Sequence, residues 1–186
     1  MNRMPRRLLA AALAAAVLLP AAVVAQDAAS SSMKAPAADA AFVKQASAAG
    51  LAEVALGQLG ADKGQSQDTK TFGQQMVTDH TKANDELTRI AGTKGLTPSS
   101  EPMPADQKAA KAIEAKSGDA FDKAFAAKMV ADHKKAVALF TKESTSGKDP
   151  ELKAFATQTL PTLKQHLEMA QQLGGGKDAG KAMASH

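Results

Sequence analysis

The chain has 186 residues, 44% hydrophobic and 23% charged, with six Phe and neither Trp nor Tyr. That is enough for one domain with a sizeable core and poor material for a β-sandwich or a base-stacking surface. No cysteine is present, which excludes disulfides, thiol catalysis, Cys-ligated zinc, Fe–S clusters and an anchor attached through an N-terminal cysteine. Of the 23 basic side chains, Arg3, Arg6 and Arg7 sit at the N-terminus; without them 20 face 19 acidic ones, and the formal charge falls from +4 to +1. The lysines that remain are interspersed with acids, so no basic stripe is left for nucleic acid.

Those arginines precede an apolar run over residues 8–19, and Val23-Val24-Ala25 supplies small residues for cleavage. Residues 1–25 therefore read as a secretory signal peptide. Pro20 interrupts the run and no basic stop-transfer cluster follows, so no transmembrane span is expected after the leader is removed. Residues 26–38, with Ser30-Ser31-Ser32 and Pro36, are an expected flexible lead-in; 39–173 form the domain, and 174–186 a flexible tail opening on Gly174-Gly175-Gly176.

Four long helices and one short one are predicted. Asp39 is a candidate N-cap for the first, which carries Phe42, Ala46, Ala49, Glu53 and Leu56 on one stripe, with Gly64 available for a left-handed exit. The second runs from about Ser66 to Ala91 with Phe72, Met76, His80, Ala83, Leu87 and Ile90 on one face, ended by Gly92 and Gly95. A connection holding Pro98, Pro102 and Pro104 leads into a short helix through Lys116. Asp119 is a candidate cap for the next, with Asp122 favourably placed near the N–H groups of that helix's own first turn. Its stripe is Phe121, Phe125, Met129, His133, Ala136 or Val137, and Phe140. Asp149-Pro150-Glu151 opens the last helix, with Leu152, Phe155, Thr159, Leu163, His166, Ala170 and Leu173 on its face. Pro161 inside it predicts a bend or a break. A single amphipathic helix cannot bury its stripe alone, so the fold class is all-α, a four-helix bundle with a short extra helix in the long central connection.

Residues 71–87 and 124–140 align at an offset of 53: Phe72 with Phe125, Met76-Val77 with Met129-Val130, Asp79-His80 with Asp132-His133, Lys82-Ala83 with Lys135-Ala136. The shared phrase reads as a repeated unit and sets both histidines on an apolar stripe.

His80, His133 and His166 thus hold core-facing positions on three long helices, and Glu53 on the fourth. Three imidazoles and a carboxylate suit a divalent first-row metal such as Fe, Zn, Mn or Cu, so these four are the candidate ligands. They do not fit a dinuclear carboxylate centre, which needs Glu three residues before His; Val77, Val130 and Leu163 stand there. Asp79 and Asp132 are turned about 100° from their histidines, toward solvent or an adjacent helix edge. Counted along the helices, His80 and His133 are level, His166 is out of level by roughly 5 Å, and Glu53 is out of level with His80 by roughly 9 Å, which weighs against Glu53 as a direct ligand. The alternative is that the histidines are semi-buried core residues hydrogen-bonded to their neighbours. Met76 and Met129 are expected as core. No phosphate loop, nucleophile elbow or His-Glu-x-x-His motif occurs.

The segments FVKQASAAGLAEVALGQLG, QQMVTDHTKANDEL, FDKAFAAKMVADHKKAVALF and LPTLKQHLEMAQQL together resemble the secreted bacterial family of unknown function numbered 4142, often labelled predicted outer membrane proteins and regarded as ferritin-like. The resemblance spans about Asp39 to Leu173 and places the family's helix histidines on His80, His133 and His166 and its first-helix Glu on Glu53. It implies a ferritin-like bundle and export, and no settled activity. The charged helix faces suit water rather than a bilayer, so the expected location is the periplasm, with peripheral association at the envelope or outer membrane as the reading of that label.

Three functions follow as expectations. The leading one is a non-catalytic binding or structural protein of the cell envelope; the second, a divalent-metal protein of storage or oxidoreductase type; the third, an envelope stress or adhesion module.

Overall fold

The computed structural model describes residues 36–175. The expected signal peptide, the lead-in up to residue 35 and the tail from residue 176 lie outside the described residues. Among the described residues the protein is all-helical: α1 (Ala37–Lys63), α2 (Gln67–Thr93), α3 (Pro104–Glu114), α4 (Gly118–Ser146) and α5 (Pro150–Gly174). The four long helices form the bundle, and α3 is the short helix of the connection between α2 and α4.

The helix starts divide the work of capping in a way that local spacing does not show. Ser66 caps α2, its hydroxyl accepting from Thr69 N at 3.1 Å. Asp149 caps α5, accepting from Glu151 N and Leu152 N at 3.0 and 3.1 Å ahead of Pro150. Asp39 and Asp119 are not caps: α1 begins after Pro36 and α4 after Ser117, and both aspartates lie within first turns. Asp39 instead reaches the α4–α5 turn, where Lys148 N and Asp149 N donate to its carboxylate at 3.1 and 2.7 Å. Asp122 likewise serves the α1–α2 turn and not its own helix, accepting from Gln65 N at 2.8 Å and Ser66 N at 2.9 Å. These reciprocal bonds set the start of each hairpin against the turn of the other. Hence α1 is antiparallel to α4, α2 is parallel to α4, and the connection with α3 runs the length of the bundle, the single-crossover topology of ferritin-like folds.

Two further expectations are revised. Gly64 does not take the left-handed conformation (φ −51°). Glycine is needed there because a Cβ would lie 2.6 Å from Gly60 O; the left-handed residues are Gly95 (φ 62°), after α2, and Gly118 (φ 57°), at the start of α4. Of the bend and the break that Pro161 allowed, the break does not occur: α5 is one continuous helix.

Two apolar clusters fill the core. One holds Phe42, Leu87, Ile90, Phe140, Leu152 and Phe155, and the other Leu56, Phe72, Met76, Phe121, Phe125 and Met129. Each large side chain so buried contributes roughly 1.5–3 kcal/mol from the area it removes from water. His80, His133 and His166 follow Met76, Met129 and Leu163 along their helices and lie between the two clusters. No described helix is long and apolar enough to cross a membrane.

Candidate metal centre

The bundle brings the three predicted histidines together. His80 from α2, His133 from α4 and His166 from α5 are 7%, 0% and 1% exposed, and their ring centroids are 5.4–5.5 Å apart. One ring nitrogen from each lies within 4.8 Å of the other two.

The expected misalignment of His166 is absorbed by side-chain direction. It sits three residues further than His133 from the turn joining their helices, about 4.5 Å of rise. In every helix the Cα–Cβ bond tilts toward the N-terminus; in an antiparallel pair the two side chains therefore lean oppositely, His133 away from the shared turn and His166 toward it. The same lean acts between Glu53 and His80. Their expected mismatch of roughly 9 Å also counted the turn residues Gly64 to Ser66 as helix rise, which they do not supply.

Hydrogen bonding fixes which nitrogen His133 and His166 offer. His133 Nδ1 lies 2.9 Å from Met129 O, a carbonyl that accepts only, so Nδ1 carries the proton and Nε2 is bare. His166 Nε2 lies 2.9 Å from Asp79 Oδ2 and donates to it, which leaves Nδ1 bare. His133 Nε2, His166 Nδ1 and His80 Nε2 are all buried without a hydrogen-bond partner. Burial holds all three imidazoles below their ordinary pKa. For His80 it acts with the charges of His133 and His166; His133 is lowered to about 4; for His166 burial outweighs the opposing pull of Asp79. The rings are neutral at pH 7 and their lone pairs free, the state in which imidazole binds metal. A carbonyl and a carboxylate holding the far nitrogens are the usual outer support of metal-ligating histidines.

These side chains are chemically suited to an ion. The three rings would hold it through one neutral nitrogen each, supplying lone pairs and no charge. Glu53 is not in this cluster. It is 4% exposed, and its Oε1 stands 3.8 Å from His133 Nδ1, behind the ring, beyond hydrogen-bond distance. Burial, with Asp132 and Asp106 adding to it and Lys128 opposing, pushes its carboxyl well above the usual range. Met76 and Met129 are fully buried in the apolar cluster.

Sequence reasoning missed three participants. Asp79 supports His166 across the helix boundary; its position beside His80 was visible, its partner 87 residues away was not. Lys128 ties Asp106 of α3 at 2.7 Å and Asp132 at 2.6 Å. Asn84 stands beside Glu53 and His80 around a small cavity. A second internal relation, at an offset of 83, also escaped: Asp39-x-x-Phe42 with Asp122-x-x-Phe125, and Phe72 with Phe155. It marks the two aspartates that each accept from the turn of the other hairpin.

Comparison with solved structures finds a DUF305 fragment from Deinococcus radiodurans, with a TM-score of 0.67 at 14% identity, covering 76% of this chain and 97% of that one. At that identity the likeness is one of fold. No curated protein matches the chain. Residues 23–173 match the family described as Domain of unknown function (DUF4142), and the chain belongs to that family.

Proposed function

We propose that this protein is an exported, periplasmic helical-bundle protein that binds one divalent transition-metal ion through His80, His133 and His166. The observation that carries this reading is the convergence of three buried imidazoles, one nitrogen of each lying close to the other two, with one buried nitrogen on every ring lacking a hydrogen-bond partner. Buried polar atoms are nearly always paired, and leaving one unpaired costs about 1–3 kcal/mol. A purely structural core gains nothing from three of them, whereas a bound ion satisfies all three at once. This favours metal binding over a bundle with only a structural role.

An all-imidazole set suits zinc or copper better than manganese, which prefers carboxylates and water. Export rests on the arginine-led apolar N-terminus, and the absence of a membrane-crossing helix among the described residues fits peripheral contact with the envelope.

Elemental analysis of tag-free protein, followed by zinc, copper, iron and manganese titration, tests the reading. One equivalent of metal in the wild type, lost in a His80→Ala, His133→Ala double variant, is the expected result. Absence of uptake from every metal by the folded wild type overturns it.

A further inference from the structure

Two cavities meet between α1 and α4. The outer is a surface groove of about 410 Å³ whose walls include Met103, Asp106, Glu53, Asp132 and Lys135. The inner, about 30 Å³, is bounded by Glu53, Asp132, Asn84 and His80 and has room for about two water molecules. Ala49, Glu53, Asp132 and Ala136 line both. Side chains alone, with no intervening helix, therefore separate the groove from His80.

The chemistry of these walls is that of a cation path. Asp106 and Asp132 stand at the outer cavity with the Lys128 ammonium 2.7 and 2.6 Å from their carboxylates, so a positive charge is already accommodated between them. Lys135 is largely exposed, 3.6 Å from Asp132. Glu53 forms a wall common to both cavities, and its Oε2 is buried with no hydrogen-bond partner. An unpaired buried oxygen on a passage is positioned to replace water around an ion that must shed its hydration to pass. The groove on the opposite side, between α2 and α5, is larger, about 840 Å³, with Lys82 and Arg89 beside Asp85 and Glu86, but it shares no wall residue with the inner cavity that reaches His80.

We propose that a divalent cation enters and leaves the three-histidine cluster through this α1–α4 passage, gathered at its mouth by Asp106 and Asp132 and meeting Glu53 last before His80. The proposal rests on the metal-binding reading above and assigns that site its route of exchange. A passage controls rates and leaves the equilibrium alone, which makes it separable from the ligands themselves.

Stopped-flow uptake of Co²⁺ by the metal-free full chain, and its release to a chelator, provide the test. Ala49→Met, which fills the shared wall, slows association and dissociation by the same factor, at least about tenfold, equivalent to a barrier raised by about 1.4 kcal/mol. Thr81→Met, which places the same side chain in the α2–α5 groove, leaves both rates at wild-type values. Asp106→Asn lowers the association rate and weakens its dependence on ionic strength; it serves as the deciding variant if circular dichroism shows Ala49→Met to be unfolded. Unchanged rates in Ala49→Met, slowing in Thr81→Met, a change in dissociation alone, or an unaltered association rate in Asp106→Asn overturns the passage while Co²⁺ stoichiometry leaves the three-histidine site intact. A wild-type chain that takes up no Co²⁺ overturns both.

Discussion

His80 and His133 occupy the same place in the repeated Met-Val-x-Asp-His phrase and meet across the core with ring centroids 5.5 Å apart. The preceding mates, Phe72 and Phe125, also meet, at 6.1 Å. Because α2 and α4 are parallel, two copies of one helical phrase stand level, and equivalent side chains face each other. The flanking aspartates have diverged: Asp79 holds His166, whereas Asp132 pairs with Lys128. One aspartate holds a ring of the histidine cluster and the other faces the groove.

Removing the first of these should weaken the site without dismantling it. Asp79→Ala frees His166 to rotate and to change tautomer, and is expected to lower metal affinity by about 10–100-fold. Chelator competition at equilibrium measures this. An affinity equal to wild type would remove Asp79 from the support of the site.

Metal should stabilise the fold. An ion that binds only the folded chain adds about 2.7 kcal/mol at one hundred times its dissociation constant, a rise of about 5–10 °C in melting temperature for a domain of this size. Calorimetry with and without zinc reads the shift, which a chelator reverses and the His80→Ala, His133→Ala variant does not show.

The pH dependence of stability has a contribution from the far end of the bundle. Burial, with Asp39 and Asp149 adding to it and Lys153 and Lys142 opposing, raises the Glu143 pKa to about 7 from 4.5. The folded state holds that proton where the unfolded chain has released it, so this contribution is complete below about pH 4.5 and is lost as pH rises to about 7. Denaturant titrations of Glu143→Gln against wild type should show a stability difference that changes over that window and is level above it. A difference independent of pH would mean that Glu143 is ionised throughout.

The reciprocal aspartates should each matter to the whole fold. Asp39→Ala and Asp122→Ala each remove the acceptor of two backbone N–H groups in a distant turn, a loss of about 1–2 kcal/mol for each variant, larger for Asp39, whose bonds are part-buried. Two-state chemical denaturation gives the values, and a loss under about 0.5 kcal/mol, the range of an ordinary surface change, would contradict the role.

Close approach of α1 and α2 is tested at Gly73, where an added Cβ would lie 2.5 Å from Ala61 N and 2.6 Å from Gly57 O. Backbone cannot swing aside as a side chain does, so Gly73→Ala should destabilise by about 1–3 kcal/mol despite alanine's better helix propensity. Gly92→Ala, with nothing near its Cβ, is the control and should not destabilise.

The helices and their buried faces were legible in the residues alone, because 3.6-residue periodicity and signals such as Asp149-Pro150 act within a turn or two of chain. So was the inward placement of three histidines, since an apolar stripe has only one way to be buried. The level meeting of His80 and His133 was legible too; that His166 joins them was not, because it depends on opposite side-chain lean in antiparallel helices, which no count of residues from a turn includes. Nor could spacing place Asp39 and Asp122 on turns 109 and 56 residues away, give His166 its Asp79 partner, or set Glu53 behind His133. Each of those choices is made by a neighbour that only tertiary packing supplies, and with them the tautomers of His133 and His166.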